Sequence, residues 1–255
     1  MIYGLYLSAQ GAQAQSTRLD VIANNLANAS TTGFKRDLAI YQAHPPYDVE
    51  HGKSDPGPEG WDDQAGGLTL AGVVTDHSNA SLVKSGGTYD VALAGPGYFQ
   101  VANDREQLLT RNGQFTVSQN GELVNDTGLR VLNESGGPIA IPPNAQNIQI
   151  AGDGTVNATF ENGATAPIAR LAVVQPADVG SLEKVGNSMF RAPKGVAPAG
   201  PQTFVRQGFL ESSGTNSVME MLEMIQTTRA FETNINMIKH QDEALGRLLQ
   251  SASLR

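Results

Sequence analysis

The chain has no cysteine, which removes disulfides, thiolate zinc sites and thiol nucleophiles together. That absence leaves the compartment open, because a cysteine-free chain works in reducing or oxidising surroundings. Aromatic residues are scarce at 6% and charged residues at 16%, while there are 28 glycines and 13 prolines. This balance favours a turn-rich β architecture over a dense α/β enzyme. Basic residues are the minority charge, 17 against 25 acidic, for a net charge of −8. Holding phosphates needs clustered Lys and Arg, so neither nucleic acid nor an anionic membrane surface is an expected partner. No apolar run approaches transmembrane length, and no membrane insertion is expected. At 255 residues the chain is still long enough for one or two domains with real cores.

What is present is concentrated at the two ends. Leu5, Ala9, Ala12, Ser16, Leu19, Ala23 and Leu26 recur at alternating spacings of four and three, the seam of a coiled coil. Met221, Met224, Thr228, Phe231, Ile235, Ile238, Asp242, Leu245 and Leu249 repeat the alternation near the C-terminus, and Leu222 and Ile225 widen the apolar face. Two seams without a third helix predict that the ends pair with each other and that many copies pack their stems together. The polar residues of the first helix support burial of its outer face. Between Met1 and Phe34 the only charged residues are Arg18 and Asp20, against amides such as Gln10, Gln13, Gln15, Asn24, Asn25 and Asn28. A helix facing water carries more charge, whereas amides suit burial where each donor and acceptor finds a partner. The competing interpretation is an N-terminal helix docked on an ordinary monomeric domain.

The middle alternates short apolar runs with turns. Tyr89–Ala94, Tyr98–Val101, Gln107–Arg111, Gln114–Val117 and Glu122–Val124 predict a strand meander, with Asn112-Gly113, Asn120-Gly121 and Asp126-Thr127-Gly128 as turn signals. Further strands are expected at Ile148–Ile150, Val156–Phe160, Ile168–Val174 and Met189–Arg191. Asn28 to Gly33 supplies C-cap and turn residues, and Ser217 with Glu220 offers a capping box for the last helix. His44, Asp48, Glu50, His51 and Asp55 lie in a Pro-, Gly- and acid-rich stretch without metal-ligand spacing, so a solvated loop is expected there and no metal or cofactor. None of the four histidines, His44, His51, His77 and His240, has a nucleophile or ligand pattern around it, and no enzyme is expected. Ala12-Gln13-Ala14 imitates a cleavage site, but no basic residue precedes Arg18 and Gly4, Ser8 and Gln10 break the apolar stretch, so the start is expected to be mature helix rather than a Sec leader.

Particular motifs resemble a known family. Leu19-Asp-Val-Ile-Ala-Asn-Asn-Leu-Ala-Asn28 followed by Thr32-Gly-Phe-Lys-Arg36 resembles the N-terminal signature of bacterial flagellar rod and hook axial proteins. Gln207-Gly-Phe-Leu-Glu211, Met221-Leu-Glu-Met-Ile-Gln226 and Arg229-Ala-Phe-Glu-Thr-Asn234 resemble the matching C-terminal signature, and Tyr89–Val101 with Thr110-Arg-Asn-Gly-Gln-Phe115 resembles the central β domain. Ser213-Gly-Thr-Asn216 departs from the family, which usually has Asn and Val in place of Gly214 and Thr215. The length resembles rod subunits rather than the longer hook protein. Gly137–Pro142, Ile150–Val156 and Ala169–Val173 look closer to the proximal than to the distal rod branch.

The combined expectation is an α+β fold in which N- and C-terminal helices pair as a coiled-coil stem around an inserted, mostly antiparallel β domain. Its segments are a helix over 1–36, a linker over 37–67, the β domain over 68–207 and the second helix over 208–255. The resemblance implies a structural subunit of the periplasmic basal-body rod, the drive shaft that carries torque from motor to hook. It also implies export through the flagellar type III apparatus without a cleaved Sec signal, with itself and neighbouring rod proteins as partners. The alternatives are a distal-rod, hook-like or hook-associated component and, from a different class, an enzyme acting on the cell wall, which needs a cleft with paired carboxylates or a metal. The expected assembly residues are Leu5, Ala12, Leu19, Ile22, Ala23, Asn24, Asn25, Leu26, Asn28, Gly33 and Phe34 at the start, and Met221, Met224, Ile225, Arg229, Phe231, Glu232, Asn234, Ile235, Ile238 and Leu245 at the end.

Overall fold

The computed structural model describes residues 2–44, 67–103 and 105–253. The chain divides into two compact units. A helical unit takes residues 1–27, 37–75 and 216–255, and a β unit takes 28–36 and 76–215. All strand pairings named below are antiparallel, so an α+β architecture with two helices is what the sequence folds into.

In the helical unit, α1 spans Ile2–Ala27 and α2 spans Ser217–Ser253. Gly4 neighbours Gln241, Gly11 neighbours Asn234, and Arg18 lies 3.7 Å from the Glu223 carboxylate. Rising numbers on one helix against falling numbers on the other make the pair antiparallel. The start of α2 corrects the expected capping box. Asn216 Oδ1 accepts from the backbone amides of Val218 and Met219 at 3.0 and 3.3 Å, so Asn216 is the N-cap and Ser217 already lies inside the helix.

The expected linker over 37–67 is also corrected in part. Residues 37–44 form strand β1 (Asp37–His44), paired with β2 (Gly67–Thr75), and the Tyr41 hydroxyl ties this ribbon to α1 by donating to the Ala14 carbonyl at 2.8 Å. The stretch holding Asp48, Glu50, His51 and Asp55 lies outside the described residues, as does the side chain of His44.

The β unit is built on a sheet whose strand order is not the simple meander the sequence suggested. From one edge it runs Glu183–Gly186, Met189–Arg191, Gln107–Thr110, Tyr98–Ala102, Arg130–Val131, Leu123–Val124 and Thr116–Val117, with Val173–Pro176 also joined to Tyr98–Ala102. Val91–Ala94, expected to neighbour Tyr98–Val101, pairs with Phe204–Gln207 from the far end of the unit. The single run expected at Ile168–Val174 is two strands, Thr165–Arg170 and Val173–Pro176. Thr165–Arg170 completes a local three-stranded sheet with Ala145–Ile150 and Thr155–Phe160. Val91, Phe99, Val101, Leu123, Val131, Ile139, Val156 and Leu171 share one fully buried core. Burial of such side chains is the main favourable term in folding, roughly 1.5–3 kcal/mol each.

Candidate assembly surface and a buried charge cluster

Within the helical unit, Ala12, Ile22 and Asn25 are buried, whereas Leu5, Leu19 and Leu26 are half-buried and Ala23 and Asn24 face outward. On α2, Met224, Phe231, Asn234, Ile235, Ile238 and Leu245 are half-buried. Separations of three, four and seven from Phe231 and Ile238 put them on one stripe. Met221, Ile225, Arg229 and Glu232 are exposed and lie off that stripe. The apolar face of α2 is therefore wider than one partner helix covers. Val218, Met221, Leu222 and Ile225 form an outward patch at 72, 52, 49 and 52% exposure. On the ribbon, Leu38, Ile40, Leu70, Val73 and Val74 are exposed as well.

The amides divide into two groups. Asn25 uses both ends of its side chain on one residue: Oδ1 accepts from the Asp37 amide and Nδ2 donates to the Asp37 carbonyl, each at 2.9 Å. The Asp37 carboxylate in turn accepts from the Thr75 hydroxyl at 2.7 Å. One buried asparagine thus anchors the start of β1 to α1, and Asp37 carries that anchor on to the end of β2. The buried Oε1 atoms of Gln10, Gln15 and Gln241 have no hydrogen-bond partner among the described residues.

The other three expected residues lie in the β unit. Asn28 is half-buried, and its carbonyl accepts from the Ser213 hydroxyl at 2.8 Å. Gly33 is buried at φ +66° with its Cβ direction 2.5 Å from the Arg111 backbone, a place only glycine fits. Phe34 is buried with the Lys184 ammonium 4.1 Å from its ring centroid, and that ammonium also donates to the Lys35 carbonyl at 2.8 Å.

Beside Phe34 is a feature that sequence reasoning missed. Lys35, Arg111 and Glu211 are 1, 2 and 1% exposed. Lys35 Nζ donates to Glu211 Oε1 at 2.7 Å and to the Ser78 carbonyl at 2.6 Å, and the Ala80 amide donates to the same Oε1 at 3.0 Å. Arg111 Nη1 donates to Glu211 Oε2 at 3.1 Å, while Nη2 donates to the Gly95 carbonyl at 2.8 Å. The Tyr98 ring lies 5.2 Å from the Arg111 guanidinium, and its hydroxyl is 2.7 Å from His77 Nδ1. Burial pushes the Tyr98 phenol up to about 12. Burial also lowers the Lys35 ammonium below its ordinary range, against the pull of Glu211. Each member lies in one of the family-like motifs, Thr32–Arg36, Thr110–Phe115 and Gln207–Glu211, yet sequence separations of 176 and 100 residues hide the meeting.

No group of three or more His, Asp or Glu side chains among the described residues is arranged to hold a metal. No described helix is long and apolar enough to cross a membrane.

Comparison with known proteins gives this arrangement a context. Residues 5–35 match the family described as flagella basal body rod protein, 92–158 the flagellar hook protein FlgE/F/G D1 domain, and 206–251 the flagellar basal body rod FlgEFG protein C-terminal family. Flagellar basal-body rod protein FlgG of Buchnera aphidicola subsp. Schizaphis graminum is 35% identical over 98% of this chain and 100% of that one. FlgG of Bacillus subtilis is 32% identical over 98% of each chain. Flagellar basal-body rod protein FlgF of Caulobacter vibrioides is 33% identical over 94% of this chain and 93% of that one. A solved flagellar hook protein FlgE2 chain from Helicobacter pylori overlaps 46% of this chain and 38% of that one at 13% identity and a TM-score of 0.24, which carries no argument about the fold. Full-length identity to rod proteins, together with terminal and central family matches in the right order, means that the chain belongs to the flagellar basal-body rod protein family, a structural subunit of the flagellum and not an enzyme.

Proposed function

We propose that the chain polymerises in the periplasmic rod through its helical unit, with the α1–α2 pair acting as a coiled-coil stem that copies of itself and neighbouring rod proteins complete. The observation that carries this is the unfinished core of that unit. Its stripe is only half-buried, and Val218, Met221, Leu222 and Ile225 face outward together. Apolar patches of this kind on a folded chain mark association surfaces. The scarcity of charge on α1, where Arg18 and Asp20 stand alone, supports packing on its outer face too. Export through the flagellar type III apparatus is part of this reading and fits membership of the rod family, and the stretches at Gly137–Pro142, Ile150–Val156 and Ala169–Val173 support a proximal position.

The test compares Phe231→Asp on the half-buried stripe with Ile225→Asp on the outward patch, reading rod completion and swimming. Both substitutions should abolish the rod, because each defect recurs in every subunit. Ile225→Asp should do so without unfolding the isolated chain. Intact rods in both variants would sink the proposal.

A further inference from the structure

The chain passes between its two units four times, after residues 27, 36, 75 and 215. Of the connecting segments on the β-unit side, 28–36, 76–81 and 212–215, the first buries one apolar side chain, Phe34, and the other two bury none. Segments without apolar burial belong to the least stable part of a fold unless polar contacts hold them. Here the buried side-chain contacts converge on Glu211, and the residues that follow it supply further backbone and hydroxyl bonds. Through its carboxylate Glu211 takes Lys35, next to the second passage, and the Ala80 amide, just past the third; Lys35 adds the Ser78 carbonyl. The Glu211 backbone carbonyl accepts from the Gly33 amide at 2.9 Å. Ser212 N donates to Ser81 O at 2.9 Å and Gly214 N to Phe34 O at 2.8 Å, while Ser213 closes on Asn28, at the first passage. Arg111 joins the other carboxylate oxygen to the sheet core through the Gly95 carbonyl.

We propose that the Glu211 carboxylate is a conformational fastener: it holds the connecting segments of the β unit shut as one cooperative group, and without it they open together while the sheet core stays folded. A buried pair broken by loss of one partner leaves an uncompensated charge, and here two cations would be stranded at once. The buried set already carries one more positive than negative charge, so Lys35 and Arg111 both depend on the single carboxylate. In a rod subunit the fastener keeps the connecting segments of the β unit shut under torsion. That mechanical role rests on the rod assignment, whereas the fastening does not.

Amide hydrogen exchange on the isolated chain tests the fastening apart from motility. In Glu211→Gln, the amides of Gly33, Ala80, Ser212 and Gly214 should lose at least about tenfold in protection. The amides of Leu123 and Leu171, which bond within the core to Ile139 and Gly154, should stay within about twofold. Unchanged protection at the connecting segments overturns the proposal, and so does an equal loss everywhere. Should Glu211→Gln fail to fold, Lys35→Met decides, since it keeps the Arg111–Glu211 pair and removes the excess positive charge. It also removes the link from the carboxylate through Lys35 to the Ser78 carbonyl, so Ala80 should loosen while Leu123 and Leu171 stay within about twofold, and no change at Ala80 overturns the proposal.

Discussion

The two units of this chain solve the problem of burying apolar surface in opposite ways. In the β unit, Val91, Phe99, Val101, Ile139 and Phe190 are within 1% of complete burial. In the helical unit, the apolar side chains that reach full burial among the described residues are Ala12, Ala14 and Ile22, two of them alanines. The long side chains there stay half-covered or exposed. Intrinsic helix propensity does not stabilise such elements in water without packing partners. The contrast teaches that one unit closes its own apolar core and the other leaves its core open, the difference on which the proposed completion of the helical unit by neighbouring subunits rests.

The sharpest way to break this comparison is to cut into the β core. Phe99→Ala removes a fully buried ring that meets Phe115 edge-on at 5.2 Å. It should cost about 3–5 kcal/mol, read as a shift in the denaturation midpoint of the isolated chain. A loss below about 1 kcal/mol would show that the β unit is not the self-sufficient partner.

Alkaline titration probes the same unit at its buried phenol. A phenol raised to about 12 in the folded chain and near 10 when unfolded contributes stability that is complete below pH 10 and lost as pH rises towards 12. The loss is about 2–3 kcal/mol. Lys35, lowered by burial, has the opposite sign: below 10.5 the unfolded chain holds the extra proton, so stability rises with pH until that window closes. Unfolding free energy should therefore turn downward above pH 10, and Tyr98→Phe should flatten the descent. An unchanged slope in Tyr98→Phe would remove the phenol from the account.

Smaller effects are expected in the helical unit. Asn25→Ala deprives both backbone groups of Asp37 of their side-chain partner and should cost about 1–2 kcal/mol. Faster exchange confined to β1 and β2 is the predicted signature, and spread of the change into the sheet core would contradict the division into units. Smallest of all is Ile225→Asp in the isolated chain, where a half-exposed side chain leaves the unfolding midpoint within about 0.5 kcal/mol.

Legibility from sequence followed the range of the interactions involved. The helices were readable because their apolar spacing is local, and so were most strand segments with their Asn-Gly and Asp-Thr-Gly turns. Strand β1 was not, since its partner begins only at Gly67, beyond a Pro- and Gly-rich stretch that obscures the pairing. The heptad reading placed Met221 on the seam, yet that side chain is 52% exposed, because the half-buried stripe is entered at Met224. Asn25 was named without its partner. Lys35, Arg111 and Glu211 lie in three separate motifs, and only the folded sheet brings those motifs together.

The 176-residue separation of Lys35 and Glu211 also orders events in time. Loop closure over so long a stretch is slow and entropically unfavourable compared with the neighbouring hairpins of Ala145–Ile150, Thr155–Phe160 and Thr165–Arg170. A chain emerging N-terminus first would bring Lys35 out early and hold it unpaired until Glu211 followed. The local three-stranded sheet then has time to form before the buried charges meet. Pulse-labelled refolding should accordingly protect the amides of Ala158 and Ile148 before that of Ala80, making closure of the charge cluster the late event that signals the arrival of nearly the whole chain.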